Sequence, residues 1–296
     1  MKSKDFLMDP CIDFAFKEIM RNDDARNGFL SAILNLNLAD IRETMLLNTN
    51  LVKQHEYEKQ GILDVRILLN NNTQINIEIQ LAPFSTWADR SLFYLSKLYT
   101  EQIKPGENYT VFKKCVSISI LDFTLFKDTK EFYSRFHILE DTRHTLYTDK
   151  MEFHVLELPK LPKELKEDAS DILLWAKFIN SKTKEEFEML AEKNNSIAQA
   201  YRQLQIISQD EQKQLEYDAR QKAIWDHNQL MLEAEQRGEK RGEKRGIERG
   251  IQQGIQVLIL DNLEYGISKE IILQKLQKRF DLTQEQAEMY FQKFNQ

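Results

Sequence analysis

Alternating apolar and polar residues predict a β-hairpin over residues 61–81. Residues 61–69 form one predicted strand, residues 70–73 supply turn-forming side chains, and residues 74–81 form the returning strand. Successive side chains of a strand point to opposite faces, so one face is apolar and predicts a core face: Leu63, Val65, Ile67, Leu69, Ile75, Ile77, Ile79 and Leu81. The opposite face is polar and carries Asp64, Arg66, Asn76, Glu78 and Gln80.

The polar face of this hairpin brings carboxylates together. If the turn centres near Asn71 or Asn72, Asp64 lies across from Glu78 or Gln80, within cross-strand reach. Two carboxylates at that range repel each other unless they are neutralised, and a divalent cation neutralises them readily. The alternative is the solvated outer face of an amphipathic hairpin, on which Arg66 pairs with one of the carboxylates.

Helices and further strands are predicted on both sides of the hairpin. Residues 11–36 read as helix with a break near residues 21–24, and residues 86–104 as helix with Ser85 or Thr86 as its cap. The remaining predicted strands are 43–51, 115–122, 132–139 and 151–158, of which 115–122 is apolar enough to be buried on both faces. The order is αβββαβ, with a crossover between parallel strands.

The C-terminal half is predicted to be all helical. Helical segments cover residues 171–180, 184–193 and 196–208, and a long polar stretch follows them. The last two segments, 268–280 and 283–295, form an amphipathic pair. Its facing apolar residues are Ile271, Ile272, Leu276 and Phe280 on the first helix and Ala287, Tyr290, Phe291 and Phe294 on the second. We therefore predict four regions: a core over 1–160, a helical extension over 161–210, a charged segment over 211–260 and a small helical pair over 261–296.

The charged segment contains a four-residue repeat over residues 237–255. Five of the nine glycines of the chain lie here, and on an α-helix this period makes one arginine stripe and one glycine stripe. Five glycines cost about 4–5 kcal/mol of helix propensity relative to alanine. Two interpretations stay open: a flexible charged linker, or a long helix whose glycine groove admits a partner helix.

Bulk composition narrows the class of protein. The chain has 296 residues, of which 42% are hydrophobic and 30% charged, and its net charge of −6 argues against tight, metal-free binding to long duplex DNA. No apolar run is long enough for a membrane span or a signal peptide, which predicts a cytoplasmic protein. Two cysteines and five scattered histidines give little support for a disulfide framework or a zinc site.

Several motifs, taken in order, carry a family resemblance. They are Asp64 followed by residues 78–80 (Glu-Ile-Gln), residues 13–17, residues 90–99, residues 106–109, the strand at 115–121 and the glycine tetrads. In this order and spacing the chain resembles the PD-(D/E)xK nucleases, in particular the recombination-promoting nuclease (Rpn) group of transposase-like proteins. The resemblance implies an α/β restriction-endonuclease-like core (αβββαβ) followed by an all-helical C-terminal region. It also implies a DNA endonuclease associated with recombination or mobile elements.

The resemblance assigns roles to the hairpin residues. Asp64, Glu78 and the backbone carbonyl of Ile79 are the implied ligands of Mg²⁺, with Mn²⁺ as an alternative, and this metal would serve phosphodiester hydrolysis. Gln80 stands where the wider superfamily has lysine. Glutamine can orient a water molecule or a phosphate oxygen, but it provides no positive charge.

Four further residues are candidates on the flanking helices. Asp13 is an additional metal ligand or a surface acid, and Lys17, one turn later, is a replacement for the missing cation. Arg90 and Tyr94 share a helix face and either hold a phosphate of the substrate or form a solvated arginine beside a core tyrosine.

Two classes of function remain in competition. The first is a Mg²⁺-dependent DNA endonuclease that forms homo-oligomers through its C-terminal helices. The second is a catalytically weak or inactive protein that keeps the nuclease fold and acts by binding DNA or by oligomerising. Intact Asp64 and Glu78 favour the first hypothesis, whereas Gln80 and the acidic net charge favour the second.

Overall fold

In a computed structural model of the chain, residues 5–49, 63–83 and 85–295 are described. The chain divides into two compact units, Met1–Ile224 and Trp225–Gln296. Within the described residues, no helix combines the length and the apolarity that a membrane span requires. The four regions predicted from the sequence, with boundaries near residues 160, 210 and 260, stay predictions.

The first unit contains the predicted order of helices and strands. Its elements are α1 (Asp13–Ile19), α2 (Asp23–Leu34), β1 (Thr44–Leu46), β2 (Val65–Leu69), β3 (Gln74–Gln80), α3 (Trp87–Thr100), β4 (Cys115–Leu121), β5 (Tyr133–Leu139), β6 (Leu146–Glu157), α4 (Asp171–Asn180), α5 (Lys184–Lys193), α6 (Asn195–Gln209) and the start of α7 (Glu211–Glu264). The predicted αβββαβ core is therefore confirmed. Two parts of the predicted strands lie outside the described residues. They are the end of the first strand, at residues 50–51, and the start of the hairpin, at residues 61–62.

The six strands form one mixed sheet in the order β1-β2-β3-β4-β6-β5. The strand pairs β3–β4 and β4–β6 are parallel, and the other three pairs are antiparallel. Parallel neighbours need a crossover connection, which α3 supplies between β3 and β4. This crossover places α3 beside the polar face of the hairpin.

Helices cover both faces of the sheet. The larger core joins the apolar side chains of β2, β3 and β4 to α1, α2, α4, α5 and α6. On the other face, Tyr94, Leu95 and Leu98 of α3 pack against Cys115, and Trp87 packs against Leu121 and Val155. The interpretation of the polar hairpin face as a solvated outer surface is therefore wrong, because α3 covers it.

The register of the hairpin brings Asp64 and Glu78 to the same end of the ladder. Asn72 adopts a left-handed conformation with φ 62°, which asparagine tolerates better than most residues, and it closes the turn after Leu69. The resulting ladder pairs Val65 with Ile77. The prediction for Leu63 is wrong, because Leu63 packs with the α3 cluster: β2 begins at Val65, and the bend at Asp64 interrupts the alternation of faces.

The second unit has a small core of its own. It is formed by the end of α7 together with α8 (Lys269–Phe280) and α9 (Gln284–Phe294), and its buried residues are Ile255, Ile259, Ile272, Leu276, Ala287 and Phe291. The predicted facing of the last two helices holds except at Ile271, which is 46% exposed because it points away from this core. Thr283 and Gln286 form the capping box that starts α9.

The glycine tetrads lie within α7 and are helical. A Cβ atom added at Gly238, Gly242, Gly246 or Gly250 would meet nothing within 4 Å, whereas one at Gly254 would lie 3.2 Å from the Phe280 ring. The helical interpretation therefore holds for this segment, and the linker interpretation does not. Whether a partner helix uses the groove stays a prediction.

Candidate active site

Asp64 and Glu78 meet at the open end of the β2–β3 hairpin. The ladder ends at the Val65–Ile77 pair, and Asp64 and Glu78 are the next residues beyond that pair on the two chain segments. Oδ2 of Asp64 accepts a hydrogen bond of 3.0 Å from the backbone N–H of Ile79. This contact fixes the aspartate against the strand that carries the glutamate, so the predicted cross-strand approach is confirmed.

Both carboxyl groups have raised pKa values. Burial raises the pKa of Asp64 to about 6, and the charge of Asp13 adds to this shift, although the Ile79 N–H lowers it. Burial raises the pKa of Glu78 to about 7, with the charge of Asp64 as the next contribution. The site therefore concentrates negative charge in a poorly solvated place, which favours either protons or a cation.

Buried polar residues of the central strands surround Glu78. Nδ2 of Asn76 donates a 3.1 Å hydrogen bond to Oε1 of Glu78, and Oδ1 of Asn76 is buried without a hydrogen-bond partner among the described residues. Ser119 pairs with Glu78 in the parallel ladder and is only 3% exposed. The predicted burial of β4 on both faces is confirmed, and the alternation of Ser117 and Ser119 is a sequence signal that one of these faces is polar.

Arg90 and Tyr94 of α3 lie beside Glu78. Nε of Arg90 is 3.7 Å from Oε2 of Glu78, and its guanidinium lies 5.5 Å from the centroid of the Trp87 ring and 5.3 Å from that of Tyr94. Tyr94 is buried, and burial raises the pKa of its hydroxyl. The two residues do share a helix face, and the aromatic rings hold the arginine next to the carboxylate pair.

Asp13 of α1 reaches the site together with a residue that sequence analysis missed. Oδ1 of Asp13 accepts a 2.8 Å hydrogen bond from Nε of Arg220, and Nη2 of Arg220 contacts Oδ2. The guanidinium also acts on Asp64, whose pKa it lowers. Arg220 lies near the start of α7, far from every motif in the sequence, and only its spacing from Tyr217 and Ile224 hints that it faces the core.

Three other sequence-predicted residues have different surroundings. Nε2 of Gln80 donates a 3.1 Å hydrogen bond to the carbonyl of Ala82, at the end of β3. Arg66 contacts Gln74 and Glu101, so its predicted pairing with Asp64 or Glu78 is wrong: both of its contacts lie towards the opposite end of the hairpin. Lys17 of α1 is not among the described charges that act on Asp64 or Glu78.

The donor set suits a hard divalent cation. The carboxylates and the unpartnered amide oxygen of Asn76 are all oxygen donors, which is the chemistry that Mg²⁺ and Mn²⁺ prefer. Within the part of the chain that the structure describes, no cluster of three or more His, Cys, Asp and Glu side chains is arranged to hold a metal ion. Mg²⁺ commonly takes only one or two carboxylates and fills its other positions with water and phosphate, so a carboxylate pair fits it.

A mixed sheet with a helical crossover and a carboxylate pair on its central hairpin defines a PD-(D/E)xK-type core. The family model described as PD-(D/E)XK nuclease family transposase matches residues 10–234, and the chain belongs to this family. No curated protein and no solved structure gives a significant match. The matched span includes Arg220, in addition to the sheet and the helices α1 to α6.

Proposed function

We propose that this protein is a Mg²⁺-dependent DNA endonuclease that hydrolyses phosphodiester bonds, with Mn²⁺ as an alternative ion. Membership of a nuclease-transposase family supports a nuclease or transposase-like function. The observation that carries the proposal is the proximity of Asp64 and Glu78: burial raises both pKa values, and the charge of Asp64 raises that of Glu78 further. Such a pair is destabilised at neutral pH, and a divalent cation would relieve the repulsion.

Asp64, Glu78 and the backbone carbonyl of Ile79 are the proposed metal ligands. The bound ion would supply the positive charge that makes a water molecule nucleophilic and neutralises charge developing on the phosphate. Both oxygens of Asp13 are engaged by Arg220, so a direct ligand role for Asp13 requires that this ion pair open. The role of Asp13 that fits its contacts better is to hold the arginine.

Two side chains are proposed to orient the substrate. Arg90 offers a guanidinium held beside aromatic rings and Glu78, and this guanidinium would donate hydrogen bonds to a phosphate oxygen of the substrate. Tyr94 would hold Arg90 in place from the core side. Gln80, at the end of β3, would orient a water molecule or a phosphate oxygen. Lys17 stays a proposed cation of the site without a contact that supports it.

Self-association through the C-terminal helices is the second part of the proposal, with a second copy of the chain as the partner. Large apolar side chains on α7 are more than 40% exposed, among them Trp225, Leu230, Met231, Ile247, Ile251 and Val257. The arginines at positions 237, 241, 245 and 249 would meet Glu239 and Glu243 of another copy. DNA phosphates compete for the same arginines, so the oligomeric state must be measured with and without DNA.

Cleavage of supercoiled plasmid tests the endonuclease proposal. Purified protein should convert the plasmid to nicked and linear forms when Mg²⁺ or Mn²⁺ is present, and EDTA should stop the reaction. An association with recombination or mobile elements is proposed from the family alone. A cytoplasmic location stays a proposal made from the sequence. If DNA is bound but never cut with either ion, the alternative function, a catalytically inactive DNA-binding protein, replaces this proposal.

A further inference from the structure

The first turns of α7 are fixed to the nuclease core along one helix face. Lys213 forms an ion pair with Glu18, which is buried at the end of α1. Four residues later, the Tyr217 side chain is buried, and its hydroxyl accepts a 3.0 Å hydrogen bond from the backbone N–H of Asp9. Ile224 packs against the same core. Residues at this spacing share a helix face, so the direction of Arg220 is set by well-packed neighbours.

Arg220 uses only part of its hydrogen-bonding capacity in the contact with Asp13. A guanidinium carries five N–H groups in a rigid fork, and Asp13 accepts from Nε and Nη2. The arginine side chain is still 50% exposed, whereas that of Asp13 is 19% exposed. The carboxylate therefore holds one edge of the fork and leaves further donors facing solvent.

Arg220 is placed where it can supply a positive charge to the site. Arg220 contacts Asp13, and the charges of both residues act on Asp64. Gln80 provides no positive charge at the position where the wider superfamily has lysine. Planar guanidinium groups bind phosphate oxygens through two parallel hydrogen bonds, which makes an arginine held at one edge a suitable phosphate contact.

We propose that Arg220, held by Asp13, is a catalytic residue that contacts the phosphate of the DNA strand being cut and supplies the cation that the hairpin motif lacks. The inference rests on the proposed endonuclease function. It makes the start of α7 part of the active site. The catalytic residues then come from the hairpin and from a helix more than 130 residues after it, and the N-terminal helix supplies the residue that positions the arginine.

A measurement of DNA binding without metal distinguishes a phosphate contact by Arg220 from a purely structural ion pair. Arg220→Ala, Arg220→Lys and Asp13→Asn are compared by fluorescence anisotropy with a short DNA duplex in EDTA at several salt concentrations. Lys222→Ala is the matched control, because it removes one exposed positive charge two residues away on the same helix. Circular dichroism and the melting temperature verify that each variant is folded.

The two partners should change DNA binding in opposite directions. Arg220→Ala should weaken binding and lower the salt dependence by about one phosphate contact, while Asp13→Asn, which removes a negative charge beside the phosphate, should bind as tightly as wild type or more tightly. Lys222→Ala should behave as wild type, and Arg220→Lys should fall between wild type and Arg220→Ala. In cleavage with Mg²⁺, Arg220→Ala should lower kcat by roughly 100-fold.

If Asp13→Asn and Arg220→Ala weaken metal-free DNA binding equally, the proposal is overturned, because a purely structural ion pair predicts that result. Wild-type binding and cleavage by Arg220→Ala would overturn it as well. If wild type itself fails to cut DNA with Mg²⁺ or Mn²⁺, the endonuclease proposal fails by that result alone. The metal-free binding measurements then still decide whether Arg220 contacts phosphate.

Discussion

Arg220 donates a 2.8 Å hydrogen bond from its Nε to Oδ1 of Asp13, although 207 positions separate the two residues in the chain. The contact joins the first helix of the nuclease core to the start of the long helix α7. The first compact unit therefore extends beyond residue 210, where the charged C-terminal segment was predicted to begin.

Truncation after residue 210 should destabilise the nuclease core, whereas truncation after residue 224 should not. The shorter chain loses the buried Tyr217 side chain and the Lys213–Glu18 ion pair, and loss of one large buried aromatic residue costs about 3 kcal/mol. Urea unfolding of the two truncated proteins and the full chain measures this difference. Equal midpoints for both truncations would contradict the packing described for α7.

The metal-free protein should lose stability as pH rises from about 4 to about 7. Asp64 and Glu78 have folded-state pKa values of about 6 and about 7, above the ordinary values of 3.8 and 4.5. The folded state then binds more protons than the unfolded state within this window, so the free energy of unfolding falls with pH and stays low above it. Each group contributes at most about 3 kcal/mol.

Asp64→Asn should flatten this pH dependence and raise the melting temperature at pH 8. The amide removes one charge of the pair, and Glu78 then ionises without its closest repulsive neighbour. Mg²⁺ should stabilise wild type at pH 8 but should have little effect on the variant. Asp149→Asn, at an exposed position of β6, is the matched control. A pH profile of Asp64→Asn that matches wild type would argue against the carboxylate pair.

Gln80→Lys should retain or increase cleavage. An ammonium group near the scissile phosphate adds electrostatic stabilisation, and in the structure the glutamine side chain contacts only a backbone carbonyl at the end of its own strand, that of Ala82, among the described residues. Plasmid cleavage rates over a series of Mg²⁺ concentrations test this, because a lysine that pairs with Asp64 would raise the metal requirement. Complete loss of cleavage by a folded variant would mean that the glutamine has a specific role.

Replacing four tetrad glycines with alanine should weaken self-association while strengthening the helix. Gly238, Gly242, Gly246 and Gly250 have open space where a Cβ would stand, and alanine favours the helix by about 1 kcal/mol at each position. Four methyl groups would nevertheless block the close approach of a partner helix along the groove.

Light scattering of this variant, of the chain truncated after residue 224 and of wild type measures the effect. Gln252→Ala with Gln253→Ala controls for exposed substitutions on the same helix. The truncated chain keeps the contacts of Tyr217 and Arg220, so a lower mass reports loss of the C-terminal contact rather than damage to the core. If all of these proteins have the same number of chains per particle, the tetrads do not mediate assembly.

The central sheet could be predicted because its signals are local. Alternation along residues 65–80 and the turn at Asn72 set the hairpin register, and the apolar run at 115–121 identifies the buried strand. Leu63 was misassigned because a bend at Asp64 interrupts the alternation, and a bend leaves no mark in a hydrophobicity pattern.

The cations of the site were harder to predict than its acids. Arg90 could be predicted because it lies on the helix that follows the hairpin. The position of Arg220 at the site depends on a tertiary contact between residues that are far apart in the chain. The alternative in which Arg66 pairs with Asp64 or Glu78 is wrong because a shared sheet face does not specify which end of the strand a long side chain reaches. The burial of the polar hairpin face depends on α3, whose packing no pattern within the hairpin reveals.

The most direct test of the account compares plasmid cleavage by wild type, Asp64→Asn and Asp149→Asn at one protein concentration with Mg²⁺, Mn²⁺ or EDTA. The three proteins are purified side by side, so that a contaminating nuclease would act equally in all of them. We expect wild type and Asp149→Asn to nick and linearise the plasmid only with metal, and Asp64→Asn to lose at least about 99% of this activity. Cleavage by Asp64→Asn at the wild-type rate would contradict the assignment of the Asp64–Glu78 pair as the metal-dependent centre.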